Sequence, residues 1–339
     1  MGGAEKIILQ LAEYFSSQYR VYILSDDNRH DWKKLNTYAS IRHLYVPYGT
    51  KNILKVVLSL LFLAFYLIIY KPSLVHCHHR RITLIFSVYK SLPVFPFRLL
   101  HTSHNVFEYG RFFRQAKADL YTGVSRSVIN NLSEFFRFDQ NKIQLIYNGI
   151  AEYNGKEFPV KAKSAVTVAR LTEQKGHIYL IRAWVDVVAH IPEAALYIVG
   201  DGELREKLER DVADLNLSKN VFFEGFQSNP MEWILQAEFC ILPSLWEGLP
   251  LFPLEAFSVK RTITATAVDG TSEVVVDKKT GLLVPPQDVD RLAEAIIFLF
   301  EDREARERLA GDGYKTFAAN FTLDKMLNAY KNIYQQFIV

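Results

Sequence analysis

Two glutamates separated by a turn are the residues of this sequence that point most directly to a chemistry. Glu247 and Glu255 stand eight positions apart, with Gly248-Leu249-Pro250-Leu251 between them. A turn that opens a helix leaves N–H groups unpaired, and these groups favour an anion. Glu255 can accept hydrogen bonds from ribose hydroxyls, and Glu247 can bind a sugar hydroxyl or cap the helix. The pattern fits a sugar nucleotide, although a capping or surface role is the ordinary interpretation of each glutamate.

A pair of cations could supply the positive charge that a diphosphate needs and that the glutamates cannot provide. Arg170 and Lys175 follow a predicted strand over 165–169, and Gly176 opens the next predicted helix. Two cations at the carboxyl end of a strand can clamp a diphosphate and offset the charge on a leaving nucleoside diphosphate. In isolation a solvated Arg/Lys pair is the better interpretation; beside the glutamate segment we favour the clamp.

Glycines mark two further phosphate or nucleotide contacts. Gly2 and Gly3 open a predicted helix and allow close backbone approach to a phosphate, although a frayed terminus gives the same pattern. Gly200 and Gly202 lie between a strand and a helix. A dinucleotide fingerprint requires glycine at position 205, where Arg205 stands. The arginine argues against an NAD-binding site. A nucleotide base or ribose can still bind over this turn.

Histidines follow two strands of the first half. His104 ends a predicted strand and can hydrogen-bond a transferred sugar or an acceptor, although a lone histidine is usually structural. His76, His78 and His79 lie together near Cys77. Neighbouring strand residues point to opposite faces, and no distant partner pair is visible, so we expect no metal site. We also expect no cofactor beyond the sugar nucleotide, which is a substrate.

Charge divides the chain into unlike halves. The net charge is +3 over 339 residues, with an excess of ten positive charges in residues 1–150 and of seven negative charges in the remainder. A basic half beside an acidic half indicates that one face meets an anion. No nucleic-acid motif is present, so an anionic membrane or a lipid-phosphate acceptor is the better partner.

Residues 56–70 are the most apolar stretch, 15 residues without a charge. As a helix they span about 22 Å, and a bilayer core needs about 30 Å. We expect a helix that is buried or lies at an interface, with a membrane-dipping helix as the alternative. Residues 111–117 interleave aromatics with cations and suit either a membrane surface or a solvated helix. No signal peptide is visible. We therefore expect a cytoplasmic protein, peripheral on the inner face of the cytoplasmic membrane.

Two α/β domains with parallel sheets are the fold that the alternation of apolar and helical stretches predicts. The first domain covers 1–150, a polar linker covers 151–163, the second domain covers 164–320, and a last helix covers 321–339. Strands are predicted near 20–25, 41–46, 74–77, 98–102, 120–124, 143–147, 165–169, 195–199, 221–223, 239–242 and 262–265. Helices are predicted near 3–17, 52–69, 176–190, 203–214, 254–259, 288–301, 303–319 and 322–337. Cys77 and Cys240 are expected to be buried free thiols, with a single disulfide between them as the weaker alternative.

These motifs, in this order and spacing, resemble the retaining GT-B glycosyltransferases of family 4. The resemblance covers nearly the whole chain. It rests on Gly2-Gly3-Ala4-Glu5, His104-Asn105, Asn148-Gly149-Ile150, Arg170 with Lys175-Gly176, Val199-Gly200-Asp201-Gly202, Pro243-Ser244 with Glu247-Gly248-Leu249-Pro250, Glu255-Ala256, and Thr280-Gly281-Leu282-Leu283-Val284-Pro285.

The resemblance implies two Rossmann-like, doubly wound domains facing across a cleft that holds a donor of UDP or GDP type. Arg170 and Lys175 would hold the diphosphate, and Glu255 the ribose. Glu247 and the backbone at 248–251 would contact sugar and phosphate. Gly2 and Gly3 would close onto the phosphates, with His104 beside the transferred sugar. The anomeric configuration would be retained by same-face attack, without a protein nucleophile or a metal.

Two departures from the family pattern stand out. The family begins with a strand before the glycine pair, whereas here Met1 abuts Gly2. We expect a misassigned start or a truncation as the cause, and loss of the strand would expose neighbouring strand edges. Lys260-Arg261-Thr262 replaces a Gly-x-Pro turn.

The expected function is transfer of a hexose-type sugar to a glycolipid or lipid-linked glycan in cell-surface polysaccharide synthesis. One alternative is a non-catalytic GT-B subunit that binds a partner glycosyltransferase or the membrane. The other is a nucleotide-sugar epimerase on the same fold.

Overall fold

The computed structural model describes residues 2–25, 40–46 and 52–338. The chain divides into two compact units. The first consists of Met1–Ile146 and Met326–Val339, and the second of Tyr147–Lys325. The chain therefore leaves the first unit, builds the whole of the second, and returns to complete the first. Residues 151–163 contain no helix or strand and belong to the second unit.

The first unit alternates strands and helices along the chain. Its strands are β1 (Val21–Ser25), β2 (Ile41–Tyr45), β3 (Leu74–Cys77), β4 (Arg98–Ser103), β5 (Leu120–Gly123) and β6 (Ile143–Leu145). Its helices are α1 (Gly3–Ser16), α2 (Ile53–Tyr70), α3 (Arg80–Lys90) and α4 (Arg126–Asn130), and most of the last helix, α12 (Leu323–Ile338), belongs to it.

Parallel pairing organises the strands of the first unit into two sheets. β1 pairs with β2, and β3, β4, β5 and β6 form a four-stranded sheet in sequence order. β4 is the best-covered strand, because residues 99–103 are all buried. A strand buried on both faces is typical of a parallel sheet covered by helices. Among the described residues, β1 and β2 form a sheet of their own.

The second unit repeats the pattern at larger size. Its strands are β7 (Ser164–Val168), β8 (Ala195–Val199), β9 (Val221–Gly225), β10 (Phe239–Leu242), β11 (Ile263–Thr266) and β12 (Leu282–Val284). Its helices are α5 (His177–His190), α6 (Arg205–Asp214), α7 (Met231–Gln236), α8 (Leu251–Ser258), α9 (Thr271–Val274), α10 (Val289–Glu301) and α11 (Arg303–Asn320).

Aromatic packing fixes helices of the second unit against its sheet. Trp184 on α5 is fully buried, and its ring lies 6.2 Å from that of Phe300 on α10. Phe300 in turn lies 4.7 Å from Phe239 on β10. Two helices and a central strand thus share one core, and aromatic side chains of this size dominate the hydrophobic stabilisation.

Strand order locates the edge where a ligand can bind. The parallel sheet of the second unit runs β12-β11-β10-β7-β8-β9. The chain moves outward from β7 through β8 to β9, then returns to the other side of β7 with β10. Ligands of open α/β sheets bind outside the carboxyl ends of the strands at such a reversal. The loops that follow β7 and β10 are therefore neighbours.

The predicted elements agree with the structure, with some omissions. α3, α4, α7, α9 and β12 were not predicted, and α8 begins at Leu251, three residues earlier than expected. The two thiols are free and buried, as expected. Burial raises the pKa of Cys77 to about 12 and also raises that of Cys240. Within the described ranges, no helix has both the length and the apolar character needed to cross a bilayer.

Candidate functional site

Loops at the carboxyl edge of the second unit's sheet pack directly on one another. Gly200, after β8, has φ +141°, and a Cβ there would lie 1.9 Å from the Ala169 carbonyl oxygen after β7. Gly176 has φ +61°, and a Cβ there would lie 2.1 Å from the Pro243 carbonyl oxygen after β10. Only glycine tolerates both the conformation and the approach. The loops after β8, β7 and β10 therefore form one continuous surface.

An ion pair joins two of the predicted site residues. Lys175 ends a short 3-10 turn after β7, and its Nζ lies 2.5 Å from Oε1 of Glu247 after β10. Ser244 donates its hydroxyl to the same oxygen at 2.7 Å. The backbone is joined as well, since the Leu245 N–H donates to the Gln174 carbonyl at 2.7 Å. Nothing in the sequence pattern indicates this pairing or the role of Ser244.

The pairing changes the charge that this surface presents. Glu247 neutralises Lys175, whose ammonium keeps two further N–H donors. In the described part of the chain no hydrogen bond reaches Oε2 of Glu247, so this oxygen can still accept from a hydroxyl. Arg170 is exposed and forms no ion pair with any described residue. Arg170 therefore adds a positive charge to the loop after β7 that no described carboxylate compensates.

Helix α8 begins beside this pair with an open N-terminus. Pro250 takes the N-cap position in an extended conformation, no side chain caps the helix, and its first turn carries no acidic residue. Asn148 anchors the preceding turn by donating its amide to the Leu249 carbonyl at 3.2 Å. All eight residues of α8, including Glu255, are buried. Pro250 and Pro253 have no N–H, so an anion here can accept from the Leu251 and Phe252 N–H groups, which stand on a rigid platform.

Gly200 and Gly202 also have a structural reason to be glycine. A Cβ at Gly202 would lie 2.4 Å from the Leu171 carbonyl oxygen, and the Gly202 N–H donates to the Asp201 carboxylate at 2.7 Å. Leu204 closes the contact by donating its N–H to the Leu171 carbonyl at 3.0 Å. The two glycines fold the β8 turn onto the β7 loop, and their predicted contact with a donor stays a prediction.

Gly2 and Gly3 lie in the first unit, at the start of α1. Gly2 is the extended N-cap, and its N–H donates to the Glu5 carboxylate in a capping box. This helix N-terminus therefore already has an anion of its own, unlike that of α8. A phosphate at Gly2 and Gly3 would have to compete with Glu5.

His104 belongs to a histidine cluster of the first unit. Its Nε2 lies 2.9 Å from Nδ1 of His78, and the two rings stack with centroids 5.2 Å apart. Burial lowers the pKa of His104 to about 4, and burial together with the neighbouring histidines lowers that of His78. Both rings are neutral at pH 7, so one donates to the other. Sequence reasoning weighed His78 only as a metal ligand.

The same cluster reaches the last helix. His76 places Nδ1 2.7 Å from the Tyr334 hydroxyl and Nε2 2.7 Å from the Thr102 hydroxyl. Tyr330 also contacts Thr102, at 3.1 Å. Within the described residues, no three His, Cys, Asp or Glu side chains are arranged to hold a metal ion. These contacts instead make the cluster part of the packing between α12 and the sheet.

Two family models divide the chain between them. The glycosyltransferase family 4 model matches residues 1–152, and the model of glycosyl transferases group 1 matches residues 151–316. The point where one match gives way to the other lies close to the structural division at Ile146 and Tyr147. Each match thus corresponds closely to one structural unit.

Curated relatives and solved structures agree with this assignment. An uncharacterized glycosyltransferase of Methanocaldococcus jannaschii is 30% identical over 224 residues, 57% of this chain and 55% of its own. The UDP-Gal:alpha-D-GlcNAc-diphosphoundecaprenol alpha-1,3-galactosyltransferase of Escherichia coli is 27% identical over 217 residues, 59% of this chain and 56% of its own. The chain thus spans about half the length of the curated relatives it matches.

The crystal structure of Anabaena HepE in complex with UDP and glucose superposes with a TM-score of 0.87 at 15% identity, covering 99% of this chain and 96% of that one. At this identity the likeness establishes the fold alone. It confirms the expected fold class, a two-domain α/β protein of the GT-B type.

Proposed function

The chain belongs to the GT-B glycosyltransferases, with a family 4 domain followed by a group 1 domain, and we propose that it transfers a hexose-type sugar from a nucleoside diphosphate to a glycolipid or lipid-linked glycan. The observation that carries the proposal is the surface formed by the loops after β7 and β10. It combines Arg170, the Lys175–Glu247 pair and the uncapped N-terminus of α8.

The donor diphosphate would be held by cations and backbone together. The exposed guanidinium of Arg170 can bind phosphate in a bidentate manner, donating two N–H groups to two phosphate oxygens. Lys175 supplies the two N–H donors that Glu247 does not use. The N–H groups at the start of α8 supply neutral donors aimed along the helix axis. HepE binds UDP on the same fold, which supports a nucleoside diphosphate as the carrier, and we propose UDP or GDP.

Sugar and ribose would be recognised by the two glutamates. Oε2 of Glu247 can accept from a sugar hydroxyl, since Oε1 is taken by Lys175 and Ser244. Glu255 lies one turn into α8, where a carboxylate can accept from both ribose hydroxyls. The two glutamates would bind the donor and would not act as an acid–base pair.

The reaction follows from what these groups stabilise. The bond between the anomeric carbon and the phosphate oxygen breaks, and the acceptor hydroxyl oxygen bonds to the same carbon on the same face. The hydroxyl proton passes to the departing phosphate oxygen. Charge builds up on that diphosphate in the transition state, and Arg170, Lys175 and the α8 N-terminus would stabilise it there. No protein nucleophile takes part, and the anomeric configuration is retained.

The acceptor proposal rests on the name of one relative and on the charge of the first half of the chain. The Escherichia coli relative is named for an acceptor that carries a diphosphoundecaprenol. The first half of this chain is basic, which suits an acceptor with phosphate next to a lipid. We propose that the enzyme acts in cell-surface polysaccharide synthesis and is peripheral on the inner face of the cytoplasmic membrane.

Single substitutions test the donor surface. We expect Arg170→Ala, Lys175→Ala and Glu255→Ala each to abolish most transfer from the preferred nucleotide sugar and to weaken thermal stabilisation by UDP or GDP. The control is Arg291→Ala, which removes an exposed arginine of the same unit from α10. Undiminished transfer in all three variants would refute the proposed site.

Two further measurements separate the alternatives. Stabilisation of the wild type by neither UDP nor GDP would support a non-catalytic subunit. A changed sugar formed from donor alone would support an epimerase. The anomeric configuration of the transferred sugar, read by NMR, tests retention, and an inverted product would exclude same-face attack.

A further inference from the structure

Helix α2 presents a continuous apolar surface to solvent. Its large outward side chains are 44–68% exposed: Leu54, Leu58, Leu61, Phe62, Phe65 and Ile68. They recur at spacings of three and four residues, so they line one side of the helix over four turns. We call this set the outer face of α2. Surface helices of globular proteins normally carry polar residues there.

The opposite side of α2 is already packed against the first unit. Ser59, Leu63 and Leu67 are buried. The Tyr89 hydroxyl on α3 donates to the Leu60 carbonyl at 2.6 Å, and the Tyr70 ring lies 4.2 Å from that of Tyr22 on β1. The helix is therefore fixed to the unit by one side, and its apolar outer face has no partner among the described residues.

Exposed apolar side chains also occur on and just after α3, the helix that packs on α2 through Tyr89. Val88 is 63% exposed on α3, one residue before the tyrosine that contacts α2, and Leu92 and Val94 are exposed just after that helix. Exposed patches of this extent are rare on monomeric proteins and mark a surface that meets a partner or a membrane.

Charge indicates which kind of surface is met. Residues 32–107 contain ten Lys and Arg and no Asp or Glu. Lys55 and Lys71 are exposed at the two ends of α2, and neither forms an ion pair with a described residue. Lysines that end an apolar helix can extend to lipid phosphates while the apolar side chains enter the acyl region.

We propose that the outer face of α2 docks the first unit onto an anionic bilayer. The helix lies parallel to the membrane plane, with its apolar side chains at the boundary of headgroups and acyl chains and its lysines on lipid phosphates. This deepens the proposed function, on which it rests, by naming the element that brings the enzyme to a lipid-linked acceptor.

A bilayer fits these residues better than a protein partner does. Two of the ten cations in this acid-free stretch of 76 residues, Lys90 and Arg98, pair with Asp119, and the excess that remains matches a surface that is uniformly negative. A second copy of this chain would place cation against cation, since both copies carry the same flanking lysines. An α2–α2 dimer is therefore the outcome that would contradict the proposal.

Vesicle binding by a double variant is the first test. Leu61→Gln with Phe65→Gln removes two central side chains of the outer face, 62% and 55% exposed, without touching the packed side. The control is Phe226→Gln with Phe298→Gln in the second unit, 64% and 42% exposed. We expect affinity for phosphatidylcholine–phosphatidylglycerol vesicles to fall about tenfold or more in the first variant only. Equal affinity in both variants would overturn the proposal.

A site-specific fluorescent label is the second test. The two native thiols are buried, so they do not compete for the label. Cys77 and Cys240 are 4% and 0% exposed, so Phe65→Cys can be labelled alone with an environment-sensitive fluorophore. We expect a blue-shifted, brighter signal with anionic vesicles and none for a label at Phe298→Cys. Equal binding to pure phosphatidylcholine, or the same shift without vesicles as protein concentration rises, would overturn the proposal. UDP stabilisation, measured in the same samples, reports separately on the proposed function.

Discussion

Lys175 and Glu247 are structural partners as well as candidate ligands. Their side chains are 17% and 7% exposed, so the loss of either leaves a poorly solvated charge behind. A lower transfer rate in a single variant can therefore reflect weaker donor binding, a less stable fold, or both. A loss of transfer at Lys175 should be interpreted only alongside the unfolding free energy of the same variant.

A double-mutant cycle separates the two contributions. We expect Lys175→Met and Glu247→Gln each to lower the unfolding free energy, and the double variant to lose less than the sum, with a coupling of about 1–3 kcal/mol. Urea unfolding measures it. The control cycle on the exposed pair Arg291 and Glu294 should show no measurable coupling. Additive losses at 175 and 247 would mean that the pair contributes nothing to the fold.

Acid sensitivity is a second property set by single residues. Burial, and then Lys175, lower the pKa of His177 to about 3. In the unfolded state His177 has a pKa near 6.5 and binds a proton that it does not bind in the folded state. The free energy of unfolding therefore falls as the pH drops below 6.5. We expect His177→Phe to lose less stability than wild type between pH 7.5 and 5, by about 2 kcal/mol. Urea unfolding at the two pH values decides it, and equal losses would contradict the lowered pKa.

At the element scale, the glycines that let the loops after β7, β8 and β10 pack together can be tested by substitution. Gly176→Ala would force alanine to φ +61° and against the Pro243 carbonyl. We expect it to cost about 2 kcal/mol or more. Gly311→Ala on α11 is the matched control, since its Cβ would meet nothing within 4 Å, and it should stabilise by about 0.5–1 kcal/mol. Urea unfolding of both variants gives the test, and a neutral Gly176→Ala would show that the loops can separate.

Elements with a plain apolar period were predictable from the sequence, and those with a mixed buried face were not. α5 was predicted because Leu180, Ile181, Trp184 and Val187 mark one side of a helix. α3 was missed because its buried side mixes Ile82 and Phe86 with Thr83 and Ser87. β12 has three residues, too few for a period to show.

The site divides along a similar line. Arg170, Lys175, Glu247 and Glu255 could be proposed from the sequence because each follows, opens or lies within an element that the sequence marks, and their roles stay predictions. The contact between Lys175 and Glu247 joins loops 72 positions apart and depends on β10 returning beside β7. Strand order is a property of the folded sheet, so the pair could not be predicted. The doublet His78 and His104 depends likewise on β3 pairing with β4.

At the scale of the whole molecule, α12 completes the first unit from the far end of the chain. Tyr330 is 1% exposed and its hydroxyl reaches Thr102. We expect Tyr330→Ala to lower the stability of the first unit by about 3–5 kcal/mol and to leave the second unit unchanged. Calorimetry should show one transition shifted and the other not. Asn332→Ala, exposed on the same helix, is the control, and a parallel shift of both transitions would mean that the units unfold as one.

The two passages of the chain through the second unit's border run side by side. The Ile150 N–H donates to the Phe321 carbonyl at 3.0 Å, and the Leu323 N–H donates to the Ile150 carbonyl at 2.8 Å. In genetic terms the second unit is a cassette inserted into the first unit. The chain segments near the two ends of this insertion touch each other. Recombination at two neighbouring positions could exchange the second unit whole, and under the proposed function this exchange would replace the donor site while leaving the first unit in place.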